Sequence, residues 1–276
     1  VATPVSQEWN DALAGPIKTV VYADAWYGAV CKHERLPILS GTFTGSRSSL
    51  VKYNLSAVVD SLYGQLTPYR DTDALAENGQ RIHLRAGIRY GDPDDRSGLN
   101  EEILPVGRFR IDSADWDEDW SSYPTMDGVR VQRQGGPISI DAPDTSAAVA
   151  EDQFLALAAP NGTVFGEARR LLGDTMPLGS THGLIDRRVP ETVVYQDDKL
   201  KAIDDMAQTV DGYPASNVYG GLDLIPDRIR TPQWAVKADR NTLRRLRFAR
   251  SRADVWNAVI SSGTEGEENV EVSAVA

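Results

Sequence analysis

The stretch RIHLRAGIRY, residues 81–90, constrains the fold of this chain more than any other. Ile82, Leu84, Ala86 and Ile88 occupy alternate positions, and Arg81, His83, Arg85 and Arg89 fall mostly between them. A period of two puts the first set on one face of a β-strand and the second on the other. The same alternation recurs in LPILSGTFTGS (residues 36–46) and in YNLSAVVD, which starts at Tyr53. IKTVVYADAWYGAV (17–30) is rich in β-formers, and VGRFRIDSA repeats the pattern less regularly with Val106, Phe109 and Ile111. VRVQRQG follows from Val129. Turn residues separate these runs: Gly91-Asp92-Pro93-Asp94-Asp95, Gly98-Leu99-Asn100, Pro124 and Asp127-Gly128. Many short strands with such joints predict an antiparallel barrel or sandwich.

The middle of the chain changes period. Residues 146–159, SAAVAEDQFLALAA, are alanine-rich and helix-compatible. TVFGEARRLLGDTM predicts a short amphipathic helix with Val164, Ala168, Leu171 and Leu172 on one face, Thr163 as N-cap and Gly173 as stop. DDKLKAIDDMAQTVDG predicts another, with Leu200, Ile203, Met206, Ala207 and Val210 on its apolar face and Gly212 at its end. NVYGGLDLIP then predicts a hairpin turning at Gly220-Gly221, and TPQWAVKA, residues 243–248, ADVWNAVISSG and NVEVSAVA are further strand candidates. A strand at the very end is expected to be completed by further chain or by a partner.

Cys31 is the only cysteine, so packing or oligomerisation must hold the fold in place of an intrachain disulfide. With Lys+Arg 29 against Asp+Glu 40, the net charge is -11. That disfavours general binding to nucleic acid or anionic membrane. No apolar run is long enough to cross a bilayer, so no membrane insertion is expected. The first residues, from Val1, show no basic segment leading into an apolar core, and no secretory signal is expected.

Chemistry-bearing candidates are few. DSADWDEDW (112–120) carries Asp112, Asp115, Asp117, Glu118 and Asp119 with Trp116 and Trp120. Glycosidase carboxylates must flank a bond from separate positions, roughly 5 to 9 Å apart, which adjacency in sequence does not provide. A calcium loop of EF-hand type fails too, because the sixth residue from Asp115 is Trp120 and from Asp92 is Ser97. The stretch reads as the solvated tip of a hairpin between residues 106–114 and 129–134, with its two tryptophans packed on the domain or on another chain. His33, His83 and His182 read as structural, with His83 on the polar side of its strand. GSTHG at Gly179 is not a nucleophile elbow, and no phosphate-binding glycine motif occurs. Between Arg228 and Arg252 runs a basic strip that includes Arg240, Arg244, Arg245, Arg247 and Arg250. On an acidic chain it reads as a surface for subunit contact.

The order of these pieces resembles the minor tail proteins, or tail-tip (baseplate) hub proteins, of long-tailed phages infecting actinobacteria. LPILSGTFTGS with YNLSAVVD resembles the opening strand pair, and "RIHLRAGIRYGD...EEILPVGRFRIDSADW" the most characteristic stretch. PISIDAPDTSAAVAEDQF resembles the strand and helix that follow. RVPETVVYQDDKLKAIDDMAQTVDGYPASNVYGGLDLIP resembles a helix leading to a hairpin, and SRADVWNAVISSG the next strand. The resemblance spans residues 17–263. It implies an α+β, mostly β fold with two tube-like antiparallel β-barrel or sandwich domains and a small helical segment between them. The expected division is a first β domain over 1–141, a helical connection over 142–188 and a second β domain over 189–276 that is incomplete at its end. It implies a homotrimer joining tail tube to tip around a channel. The expected partners are the chain itself, a distal tail protein above, minor tail proteins below, the tape measure protein, and DNA only in transit. No catalytic residue, cofactor or metal is implied. Arg240, Arg244, Arg245, Arg247, Arg250, Trp116 and Trp120 are the candidate subunit contacts. A receptor- or carbohydrate-binding tail protein is the rival, and would need Trp116 and Trp120 on one exposed platform. A peptidoglycan-active enzyme would need catalytic patterns that the sequence does not show.

Overall fold

The computed structural model describes residues 6–12, 15, 17–91, 100–117, 121–124, 130–133, 135–154, 159–160, 162–190, 193–195, 198–227, 258–265 and 268–275, with backbone alone for 121–124, 130–133 and everything from 258. The chain divides into two units, Val1–Pro232 and Gln233–Ala276. In the second, strands β13 (Ala258–Glu265) and β14 (Glu268–Val275) form an antiparallel pair.

The first unit opens with a short helix, α1 (Gln7–Ala12). Two four-stranded antiparallel sheets follow. Sheet one runs in the order β2 (Val30–His33), β1 (Lys18–Tyr27), β5 (Gln80–Tyr90), β6 (Asn100–Arg110). Sheet two runs β3 (Ile38–Gly45), β4 (Tyr53–Val59), β10 (Ile138–Pro143), β7 (Ser113–Trp116). Strands β8 (Ser121–Pro124) and β9 (Arg130–Arg133) pair with each other. The β-rich segment 17–30 resolves into a hairpin because Gly28 takes φ +57°, a left-handed conformation that costs a glycine little.

Alternation marks the buried face in β4 and in the first half of β5, but Ala86 is not buried and β3 is exposed along almost its whole length. Ala23 and Ala25 of β1, Ile82 and Leu84 of β5, and Phe109 of β6 share one core with Leu55, Ala57 and Val59 of β4 and Ile138, Ile140 and Ala142 of β10. Each sheet therefore buries one face and leaves the other outward. The expected closure into two tube-like barrel or sandwich domains is not found. Both four-stranded sheets are open, with edges at β2 and β6 and at β3 and β7, and among the described residues no sheet closes. A period of two specifies a buried face, and an open sheet satisfies it as well as a barrel does.

The remainder of this unit is not a second β domain. A second core gathers Val164, Ala168, Leu171 and Leu172 of α3 (Val164–Leu172) with Leu200, Ile203, Met206 and Ala207 of α4 (Lys199–Gln208). Leu222 and Leu224 join it from the hairpin β11 (Gly212–Ser216) and β12 (Leu222–Pro226). Both helices are capped: Thr163, the expected N-cap, accepts from the Gly166 amide, and Asp198, which the sequence reading did not single out, accepts from the Lys201 amide at 2.6 Å. Of the helix expected over 146–159, the described residues form only α2 (Ala147–Ala150). The chain leaves it at Glu151 and Gln153 bridges to Asp198, while the Phe154 ring stacks on Tyr195 at 5.4 Å. Alanine there favoured a helix locally, but the pairing and the buried ring act against it.

Candidate functional site: surfaces and clusters of the sheet pair

Asp144, just after β10, joins the two halves of the first unit. It is 1% exposed. Its Oδ2 accepts from the Tyr53 amide at 2.9 Å, and its Oδ1 from the Ser146 amide at 2.8 Å and from the Ser146 and Ser216 hydroxyls. One carboxylate thus ties β4, the turn into α2 and the hairpin strand β11. A second link is Arg110, which holds both Asp112 and Glu151, and these contacts push the guanidinium pKa up. A cleft of about 590 Å³ lies along this seam. Phe43, Tyr53, Phe109 and Ile225 give it an apolar lining, with Arg108 and Asp144 as charged members.

Ser180, His182 and Asp223 come together although 41 residues separate the histidine from the aspartate. The geometry is not that of a hydrolase. The imidazole Nε2 lies 2.9 Å from Asp223 Oδ2, but Ser180 Oγ accepts from the His182 backbone amide at 3.2 Å and its own amide donates to Asp223 at 2.9 Å. The hydroxyl thus bonds the backbone, whereas a nucleophile must hydrogen-bond its base. Asn217 adds a bond to Asp223 at 2.8 Å. Burial raises the Asp223 pKa, and the hydrogen bonds from Asn217, His182 and Ser180 outweigh it, so the net shift is downward. A Cβ on Gly179 would sit 2.2 Å from Asp223 Oδ1, which explains glycine there. The cluster fixes the 179–183 loop onto the hairpin.

The outward face of sheet one is the most charged surface of the pair. Across β1, β5 and β6 the register sets Asp24 beside His83 and Arg108, Trp26 beside Arg81 and Arg110, and Tyr22 beside Arg85. Trp26 stacks on His83 at 4.9 Å, and the Arg35 guanidinium lies 4.6 Å over the Tyr22 ring. Asp24 pairs with Arg85 at 2.6 Å and Glu101 with Arg89 at 3.3 Å. Desolvation first, then the charge of Arg108, lowers the His83 pKa to about 4. His83 is therefore half-buried and neutral rather than a plain surface residue. Trp26 Nε1, His33 Nδ1 and Arg85 Nε are shielded from water without a hydrogen-bond partner.

The acidic stretch DSADWDEDW is not the predicted hairpin tip. Its first half is the edge strand β7, and Trp116 pairs in register with Ile138 of β10. Trp116 packs on the sheet core and meets Tyr69 edge-on at 6.1 Å. β9 pairs with β8 and not with the 106–114 strand, because β6 and β7 belong to different sheets. Trp120 and the basic residues Arg240, Arg244, Arg245, Arg247 and Arg250 lie outside the described residues. Among the described residues no group of three or more His, Cys, Asp or Glu side chains converges to hold a metal, and no helix is long and apolar enough to cross a membrane. Asp144 and Asp223 escaped the sequence reading. Asp144-Thr145-Ser146 before an alanine run was a readable capping signal, whereas nothing in sequence links His182 to Asp223.

No protein-family model matches the chain, and no curated protein matches it as a relative. Solved structures do share its fold. The 43 kDa tail protein of prophage MuSo2 from Shewanella oneidensis superposes with a TM-score of 0.53 at 11% identity, covering 93% of this chain and 69% of that one. A tail protein from Neisseria meningitidis MC58 gives a TM-score of 0.50 at 11% identity, covering 93% of this chain and 67% of that one. At such identity the likeness is one of fold, and the fold is that of these two tail proteins.

Proposed function

We propose that this chain is a structural protein of a phage tail, a hub of the tail tip that joins tube to tip as a homotrimer around a central channel. The observation that carries this reading is the fold shared with two tail proteins over 93% of the chain. The open sheets support it. Edge strand β3, ILSGTFTG, has no charged residue and is exposed along seven of its eight positions, the usual signature of an edge that another chain covers. The chain acts by assembly and not by catalysis. Its neighbours are a distal tail protein above, minor tail proteins below and the tape measure protein within, with DNA passing through. Arg240, Arg244, Arg245, Arg247, Arg250, Trp116 and Trp120 contribute to subunit contacts. The carbohydrate-binding rival is disfavoured by Trp116, which packs partly buried against the sheet core beside Tyr69 and not on an exposed platform.

Antibody labelling of purified tails under the electron microscope tests the reading. Label at one end of the tail, on a ring of three copies in axial averages, is the expected result. Label along the whole tube, or a chain absent from virions, would refute the hub.

A further inference from the structure

The outward face of sheet one carries more positive charge than its own carboxylates neutralise. Asp24, Glu101, Asp112 and Glu151 pair with Arg85, Arg89 and Arg110. Arg81, two positions before His83 on β5, and Arg108, its register partner on β6, have no ion pair among the described residues, and Arg35 makes its contact with the Tyr22 ring. Guanidinium groups fixed side by side on a strand favour carboxylates held in a matching row.

The same chain presents such a row. Asp115 and Asp117 are exposed on or beside β7, the outer strand of sheet two. Two strand positions apart, they lie about 7 Å from each other along the chain. On a chain of net charge -11, an arginine-rich face is the exception and the acidic edge the complement. We infer that the arginine face of sheet one, centred on Arg81 and Arg108, docks the acidic β7 edge of a second copy of this chain. This rests on the assembly reading above. Because the two surfaces differ, the contact is head-to-tail, and such contacts close into rings when the rotation permits.

Sedimentation of the full chain and of two double variants tests this. Arg81→Glu/Arg108→Glu alters the face, and Asp115→Arg/Asp117→Arg alters the exposed edge, where folding is least at risk. Each variant alone is expected to weaken self-association by on the order of 100-fold. Mixed together, the two restore one complementary contact, and hetero-dimers are expected at concentrations where each alone is monomeric. If both variants assemble like the parent chain, the face is not the interface while assembly itself stands. A parent chain that stays monomeric at all concentrations overturns the inference and the assembly reading together. Loss of single-stranded DNA binding in Arg81→Glu/Arg108→Glu, with assembly unchanged, would make the face a nucleic-acid surface and also overturn it.

Discussion

The two halves of the first unit solve the same problem in opposite ways. The helical half closes on itself. Its helices are capped by Thr163 and Asp198, and its buried Glu167 accepts from Arg170 at 2.6 Å and from the Tyr195 hydroxyl at 3.3 Å. The sheet half leaves four edge strands, an exposed uncharged β3 and arginines without carboxylates. A polar group that is buried and satisfied makes a region rigid and self-sufficient. An unpaired edge is a surface that another chain can complete. The difference teaches that one half satisfies its polar groups internally while the other leaves edges unpaired, with Asp144 between them.

Breaking the junction gives the largest expected effect. Asp144→Ala leaves two amides and two hydroxyls without their acceptor and is expected to cost about 3 kcal/mol in urea unfolding. A single cooperative transition that persists unchanged would show that the halves are coupled elsewhere. Glu167→Ala is expected to cost about 2 kcal/mol and to leave self-association untouched, since Glu167 lies buried in the helical half. Altered assembly would break the division between halves. Gly179→Ala forces Asp223 or the loop to move and is expected to cost about 1.5 kcal/mol, read from thermal melts.

pH separates the halves further. The folded His83 pKa of about 4 lies below the unfolded value of ~6.5, so between these values the unfolded chain takes up a proton that the folded chain refuses. Stability is therefore full above pH ~6.5 and falls as pH drops toward about 4, by about 1 kcal/mol once solvent screening of a half-exposed ring is allowed for. His83→Gln is expected to flatten that slope. Asp223, with its lowered pKa, contributes stability present above the unfolded value of ~3.9 and lost only below it, so the two windows are distinguishable. The smallest effect on stability belongs to β3. Leu39→Lys is expected to shift stability by no more than about 0.5 kcal/mol, because its side chain is exposed, while reducing association measured by light scattering.

The sequence made the buried faces legible and left the connections between strands hidden. YNLSAVVD and the first half of RIHLRAGIRY named their core positions, although Ala86 is not buried, and the cap at Thr163 lies where its spacing from the helix predicts it. Closure was not legible, because the same alternation serves open and closed sheets. DSADWDEDW was misplaced for a related reason. Its neighbour VGRFRID ends one sheet and the stretch itself begins the edge of the other, a crossover that no local pattern signals. Arg81 and Arg85 were visible as a polar face, but their surplus over Asp24 emerges only when β1, β5 and β6 stand in register.

Hydrogen–deuterium exchange at low and high protein concentration tests the division between the halves most directly. Assembly is expected to add protection in β3, in β5 and β6, and in β7, with none in α3 or α4. Protection gained chiefly over Val164–Leu172 and Lys199–Gln208, with the sheet edges unchanged, would contradict it.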